Sequence, residues 1–143
     1  DIFFIGRLTD YALCMEGSLK LKEISYIHSE AYAAGELKHG TISLIDKDTY
    51  TFAIITNLDI ASKTISNVKE VKSRYGKIIM VVSDDIEVSC DTYDVKIVIP
   101  KTCEMLKPLL AIIPLQIIAY ETAKLKGCDI DKPKNLAKSV TVE

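Results

Sequence analysis

The sequence predicts an α/β fold in which a parallel sheet carries helices on both faces. Two observations predict it. Residues 2–5, 51–56, 78–82 and 95–99 are rich in β-branched and aromatic side chains and apolar on successive positions, as in strands buried on both faces. Helical patterns lie between these runs, and strands that alternate with helices build parallel sheets.

Residues 2–5, Ile-Phe-Phe-Ile, start the chain on a strand with no lead-in, which reads as a fragment of a longer protein. Residues 11–27 form the first helical pattern. The short stretch 29–32 supplies a fifth strand. Residues 35–45 place Leu37, Thr41 and Leu44 at the i, i+4, i+7 spacing of a short helix. Residues 61–75 give the second long helix. Residues 103–125 are helical in pattern but hold Pro108 and Pro114, so a break or kink is expected near one of them. Within that stretch, residues 109–120 are very apolar, yet shorter than the roughly 20 residues that span a membrane. They read as a core helix.

At 143 residues the chain fits one domain with a real core. It is 48% apolar with a formal net charge of −2, a balance with no electrostatic bias toward nucleic acid or membrane. Cys14, Cys90, Cys103 and Cys128 show no CxxC spacing, and two histidines accompany them. Neither a zinc site nor a disulfide framework is expected, and a reducing cytoplasm is the implied compartment. Cys14 and Cys103 read as small buried thiols on helices. The chain does not start on a signal-peptide pattern.

The first helix carries a charged strip. At 100° per residue, Leu13, Cys14, Leu21 and Ile24 form one apolar sector, and Ala12, Met15, Leu19 and Tyr26 another. Ser18, Lys22 and Ser25 separate them on the predicted solvent side. On the other side run Glu16, Lys20 and Glu23, closed by Ile27. Surface ion pairs at this spacing contribute a few tenths of a kcal/mol each. Apolar borders imply partial desolvation instead, and a carboxylate beside an ammonium at a cleft wall suits proton transfer. The C-terminal tail, residues 131–143, is the second unusual feature. After Pro133 it alternates apolar with polar or small residues around Lys138, a pattern built to dock.

Lys20-Leu21-Lys22-Glu23, Gly35-Glu36-Leu37-Lys38-His39-Gly40 and the tail together resemble the isomerase half of the glutamine–fructose-6-phosphate aminotransferase family. The resemblance runs from Phe3 to Glu143. It implies a sugar-isomerase (SIS) domain over residues 1–143, tail included: a three-layer αβα sandwich with a mainly parallel five-stranded sheet. It also implies a set of roles. Glu23 abstracts a proton, Lys20 belongs to the active site, and His39 assists sugar ring opening at the neighbouring subunit's site. Lys138 forms a Schiff base with the open ketose, and Ala137 with Lys138 contacts substrate. No metal or organic cofactor is needed. The implied partners are fructose 6-phosphate, glucosamine 6-phosphate, a glutaminase domain, a first SIS domain and a second copy of the chain. His28 matches no catalytic position and reads as structural.

The family's phosphate cradle, a Ser/Gly/Thr-rich loop, has no counterpart here, since Thr56-Asn57-Leu58-Asp59 lacks the serine and glycine. The chain therefore reads as the second SIS domain of a pair, inactive as an isolated fragment. Two departures stand out. Leu8-Thr9-Asp10 follows Gly6-Arg7 where the family continues with glycine, and Lys134 replaces a commoner arginine. Alternative readings are a non-catalytic sugar-phosphate sensor, or a phosphosugar isomerase or deglycase.

Overall fold

The computed structural model describes residues 1–134. Five strands, β1 (Ile2–Gly6), β2 (Ser29–Ala33), β3 (Tyr50–Ile55), β4 (Lys77–Ser83) and β5 (Val95–Ile99), form one sheet in the order β2-β1-β3-β4-β5. Every pairing is parallel. Three helices, α1 (Thr9–Ser25), α2 (Ala61–Lys72) and α3 (Lys107–Leu125), flank it. The chain reverses direction across the sheet between β1 and β3, the switch point of such folds.

Alternate residues of each strand feed two separate cores. Phe3, Ile5, Ile55, Ile78 and Met80 face Val68 and Val71 of α2, together with Leu37, Ile42 and Ile45 of the β2–β3 crossover. Phe4, Phe52, Ile54 and Val81 face Leu13, Cys14 and Leu21 of α1 and Ala111, Leu115 and Ala119 of α3. Phe4 and Phe52 stack across β1 and β3 with centroids 4.6 Å apart, in the offset geometry aromatic pairs prefer. Gly17 lets α3 approach α1; a Cβ there would sit 2.9 Å from Leu115 Cδ1 and 3.1 Å from Phe4 Cε1.

Several expectations need correction. The predicted helix over residues 35–45 is two 3₁₀ turns, Leu37–His39 and Thr41–Leu44, interrupted at Gly40 with φ 153°. Ile42 and Ile45 are buried there, whereas Leu44 is exposed. β5 is an edge strand, and its Val95 and Val98 are half exposed. On α1 the expected solvent face is wrong, since Ser18 and Ser25 are buried. Ser18 Oγ donates to the Ser29 carbonyl at 3.0 Å, so the start of β2 holds it. The second apolar sector is bare instead, with Met15 and Leu19 exposed.

No break occurs in α3, which runs continuously through Pro114, while Pro108 sits in the first turn where a missing N–H is harmless. Its start at Lys107 leaves Cys103 outside the helix and exposed; Cys14 is buried as expected, and all four thiols are free. By length and composition α3 could cross a membrane. It packs instead through Ala111, Leu115, Ala119 and Ala123, as a core helix does, but leaves Leu109, Ile113 and Ile117 exposed.

Candidate functional site

The charged strip forms as expected. Lys20 Nζ lies 2.7 Å from Glu23 Oε2 and 3.6 Å from Glu16 Oε1. The Glu23 hydrogen bond, with the Glu16 charge adding to it, holds the Lys20 pKa above its ordinary value. The strip is not walled in: Glu23 is 47% and Lys20 35% exposed. Its bare flank, Met15 and Leu19, explains this. An apolar border desolvates a charge only when something covers that border too.

His39 lies far from this pair. It follows Leu37, which is buried in the core of the α2 face, whereas α1 covers the opposite face. α1 also runs back along the sheet, so Glu23 sits near the starts of the strands and His39 beyond the end of β2. About five strand residues, roughly 16 Å, separate those two edges. One copy of the chain does not bring His39 and Glu23 together. His28 is exposed and pairs with Glu30 at 3.2 Å.

Lys138 and Ala137 lie outside the described residues. The chain leading to them is well tied. After α3, Lys126 Nζ donates to the Ser25 carbonyl at 2.7 Å, which caps the C-terminus of α1. Lys134 N–H donates to the Tyr26 hydroxyl at 2.8 Å, and the Lys134 ammonium stands 4.8 Å from the Tyr26 ring centroid. Lys134 thus acts through its backbone and a cation–π contact, neither of which needs a guanidinium.

At the switch point the sequence reading missed a buried polar cluster. Asp10, 2% exposed, accepts the Thr56 N–H at 2.9 Å and the Thr56 hydroxyl at 2.5 Å. Burial pushes the Asp10 pKa up, partly offset by those bonds and by the Lys107 charge. Lys107, 1% exposed, donates to the Thr56 carbonyl at 2.8 Å and pairs with Glu104 at 2.6 Å and Asp85 at 3.5 Å. Burial works against its charge, but these partners win and raise its pKa. An internal carboxylate therefore takes the backbone N–H that follows β3 at the switch point. The sequence signal was available: an aspartate in the first turn of the helix that follows β1. The neighbouring departure also has a structural reading, because Leu8 adopts φ 54°, ψ −124°, a conformation glycine reaches without cost. Among the described residues, no His/Cys/Asp/Glu group could hold a metal ion.

Residues 1–125 match the SIS domain. The whole chain is 54% identical to glutamine–fructose-6-phosphate aminotransferase [isomerizing] of Caldanaerobacter subterraneus subsp. tengcongensis, and spans 24% of that protein. It is 46% identical to the protein of the same name from Sphingobium yanoikuyae, covering 92% of it. A solved C-terminal domain of glucosamine-fructose-6-phosphate aminotransferase from Francisella tularensis superposes with a TM-score of 0.87 at 41% identity, over 92% of this chain and 37% of that one. The chain spans about a quarter of the length of most such relatives. By fold, by charged helix and by these likenesses, the chain belongs to the SIS-domain family, and within it to the glutamine–fructose-6-phosphate aminotransferase (isomerizing) family.

Proposed function

We propose that this chain is the second sugar-isomerase domain of an enzyme that makes glucosamine 6-phosphate from fructose 6-phosphate and glutamine-derived ammonia. The observation that carries the reading is the Lys20–Glu23 pair at 2.7 Å on an accessible helix face, in a chain 54% identical throughout to such an enzyme. The Lys138 amine condenses with C2 of the open ketose, releasing water and forming an imine. Ammonia then displaces the lysine and leaves the sugar imine. Glu23 takes a proton from C1 and returns it to C2 while the O1 proton passes to nitrogen, which converts the C2 imine into the 2-amino aldose. Lys20, hydrogen-bonded to Glu23, supports that carboxylate and assists at a substrate hydroxyl. A lysine imine and a carboxylate base suffice for this shift without a cofactor.

His39 serves ring opening. Because it sits on the opposite face of the sheet from Glu23, the reading requires His39 of a second copy, and hence a homodimer. Asp10 already takes the Thr56 N–H at the switch point, which supports taking the substrate phosphate on another SIS domain of the parent chain. That domain is a candidate cover for the bare Met15 and Leu19 flank, which would desolvate the strip. A cytoplasmic setting fits the four free thiols.

The test is Glu23→Gln in the full-length enzyme. It keeps size and removes the base, so amino-sugar formation should fall about 10²–10⁴-fold, the range for losing a general base, while fructose 6-phosphate still binds. Near-normal turnover would return Glu23 to a surface ion pair.

A further inference from the structure

We propose that Arg7 is a positioning residue: its guanidinium wedges the root of segment 35–39 against α2 and so fixes where His39 stands. The inference rests on the ring-opening role proposed for His39, but the contacts that carry it lie within the described residues. Arg7 follows directly on β1, and its Nη2 donates to Asn67 Oδ1 of α2 at 2.9 Å. Asn67 is 5% exposed, and its Nδ2 donates in turn to Glu70 Oε2 at 3.4 Å, so the amide is oriented from both ends. Gly35 lies flat against the same guanidinium. A Cβ there would sit 2.7 Å from Arg7 Nη2, 3.3 Å from Cζ and 3.4 Å from Nη1. Arg7 Nε is buried with no acceptor among the described residues. An orphaned buried donor is a cost, and what the other end of the guanidinium touches explains why it is kept there.

Between Gly35 and His39 the chain has no slack to absorb a shift. Ala34 N–H donates to the Gly6 carbonyl at 2.8 Å, Glu36 N–H to the Ala33 carbonyl at 2.8 Å, and His39 N–H to the Glu36 carbonyl at 3.0 Å. Leu37 is 1% exposed and pins the turn to the core, whereas Lys38 and His39 stand out from it. The imidazole is exposed, so its placement comes through this backbone. Moving Gly35 therefore moves His39, and a misplacement of about 1 Å can lower a rate about 100-fold.

The experiment measures kcat of the full-length enzyme on fructose 6-phosphate and on 5-deoxyfructose 6-phosphate, which lacks the hydroxyl that closes the ring and needs no opening. His39→Ala should slow the first substrate about 10²–10⁴-fold, the range for losing a general acid or base, and leave the second near wild type. Arg7→Ala should slow fructose 6-phosphate about 10–100-fold and also spare the open substrate, while trypsin cleaves after Lys38 several-fold faster. Gly35→Ala keeps the guanidinium but pushes it aside. Only the free end of a flexible side chain has to move, so this variant should fold and reproduce both effects. Made on top of Arg7→Ala it should add nothing, because no guanidinium is left to displace. Equal losses on the two substrates in Arg7→Ala, or unchanged cleavage after Lys38, would overturn the positioning role. So would a full additional loss from Gly35→Ala in the Arg7→Ala background. Equal losses in His39→Ala would instead overturn the ring-opening reading, a result the cleavage rates and the Arg7–Gly35 coupling do not share.

Discussion

Removing the Asp10 carboxylate tests whether the start of α1 depends on the end of β3. Its two oxygens take the N–H and the hydroxyl of Thr56 in a site from which water is excluded. Asp10→Ala leaves the N–H without an acceptor, which costs about 1–3 kcal/mol, and loses a charge-assisted bond from the hydroxyl. The sum is about 2–4 kcal/mol, or roughly 6–12 °C in Tm for a domain of this size. Asp10→Asn behaves differently. Its carbonyl accepts the N–H and its amide donates to the hydroxyl, so both bonds survive and only the charge is lost. Burial, the largest influence on the native carboxyl, raises its pKa above 3.8 despite Thr56 and Lys107. The folded protein then binds the proton more tightly than the unfolded chain. The stability this group contributes is full below pH 3.8 and is lost as pH rises through the folded value. The amide of the Asp10→Asn variant does not titrate, so the stability difference should shift in its favour across that window. Urea unfolding followed by circular dichroism, at a series of pH values, reads both effects. An Asn variant as damaged as the Ala variant, or an Ala variant within about 0.5 kcal/mol of wild type, would refute the hydrogen-bond argument.

Two further substitutions test the packing that positions α1. Leu8→Gly should raise stability by about 1 kcal/mol, since relief of a strained backbone outweighs the extra freedom of glycine in the unfolded chain; a loss in Tm would show that Leu8 is not strained. Gly17→Ala should cost about 1–3 kcal/mol by forcing Leu115 and Phe4 apart, and an unchanged urea midpoint would mean that the α1–α3 contact yields freely.

The strands were legible because buried parallel strands lack polar alternation, and all five lie within two residues of their expected bounds. β5 shows the limit of that criterion. Val95 and Val98 are as β-branched as central residues, yet an edge position exposes them, and no local pattern reveals which strand is outermost. Serine misled in the opposite direction. Ser18 and Ser29 bury their polarity by pairing with each other across α1 and β2, so a hydroxyl-rich stripe looked like a solvent face. The Lys20–Glu23 contact was legible from its i, i+3 spacing. The separation of His39 from Glu23 came only through the family resemblance, which put His39 at the neighbouring subunit's site; the residues alone do not encode it, because it depends on which face of the sheet the β2–β3 crossover takes. That choice is made by Leu37, Ile42 and Ile45 packing against the α2 side, a tertiary fact that a short helical pattern does not encode. The tail pattern around Lys138 lies outside the described residues, and Tyr26 drew no notice as a tail contact because its partner is 108 positions away.

These contacts make α1 a rod fixed at both ends. At its start, Gly6 allows a turn so tight that a Cβ would lie 2.6 Å from the Asp10 backbone, and Asp10 ties the first turn to Thr56. At its finish, Lys126 holds the Ser25 carbonyl and Tyr26 holds Lys134. The Lys20–Glu23 pair sits between these ties on regular helix, where side-chain positions are more precise than on a loop. A helix tied in this way does not slide to meet a substrate. On the proposed function, closure then comes from what is added to the strip: cover over Met15 and Leu19, His39 from a second copy, and Lys138. A variant that loosens one should change turnover without moving the Lys20–Glu23 distance, whereas a variant that loosens either end of α1 should impair all three together.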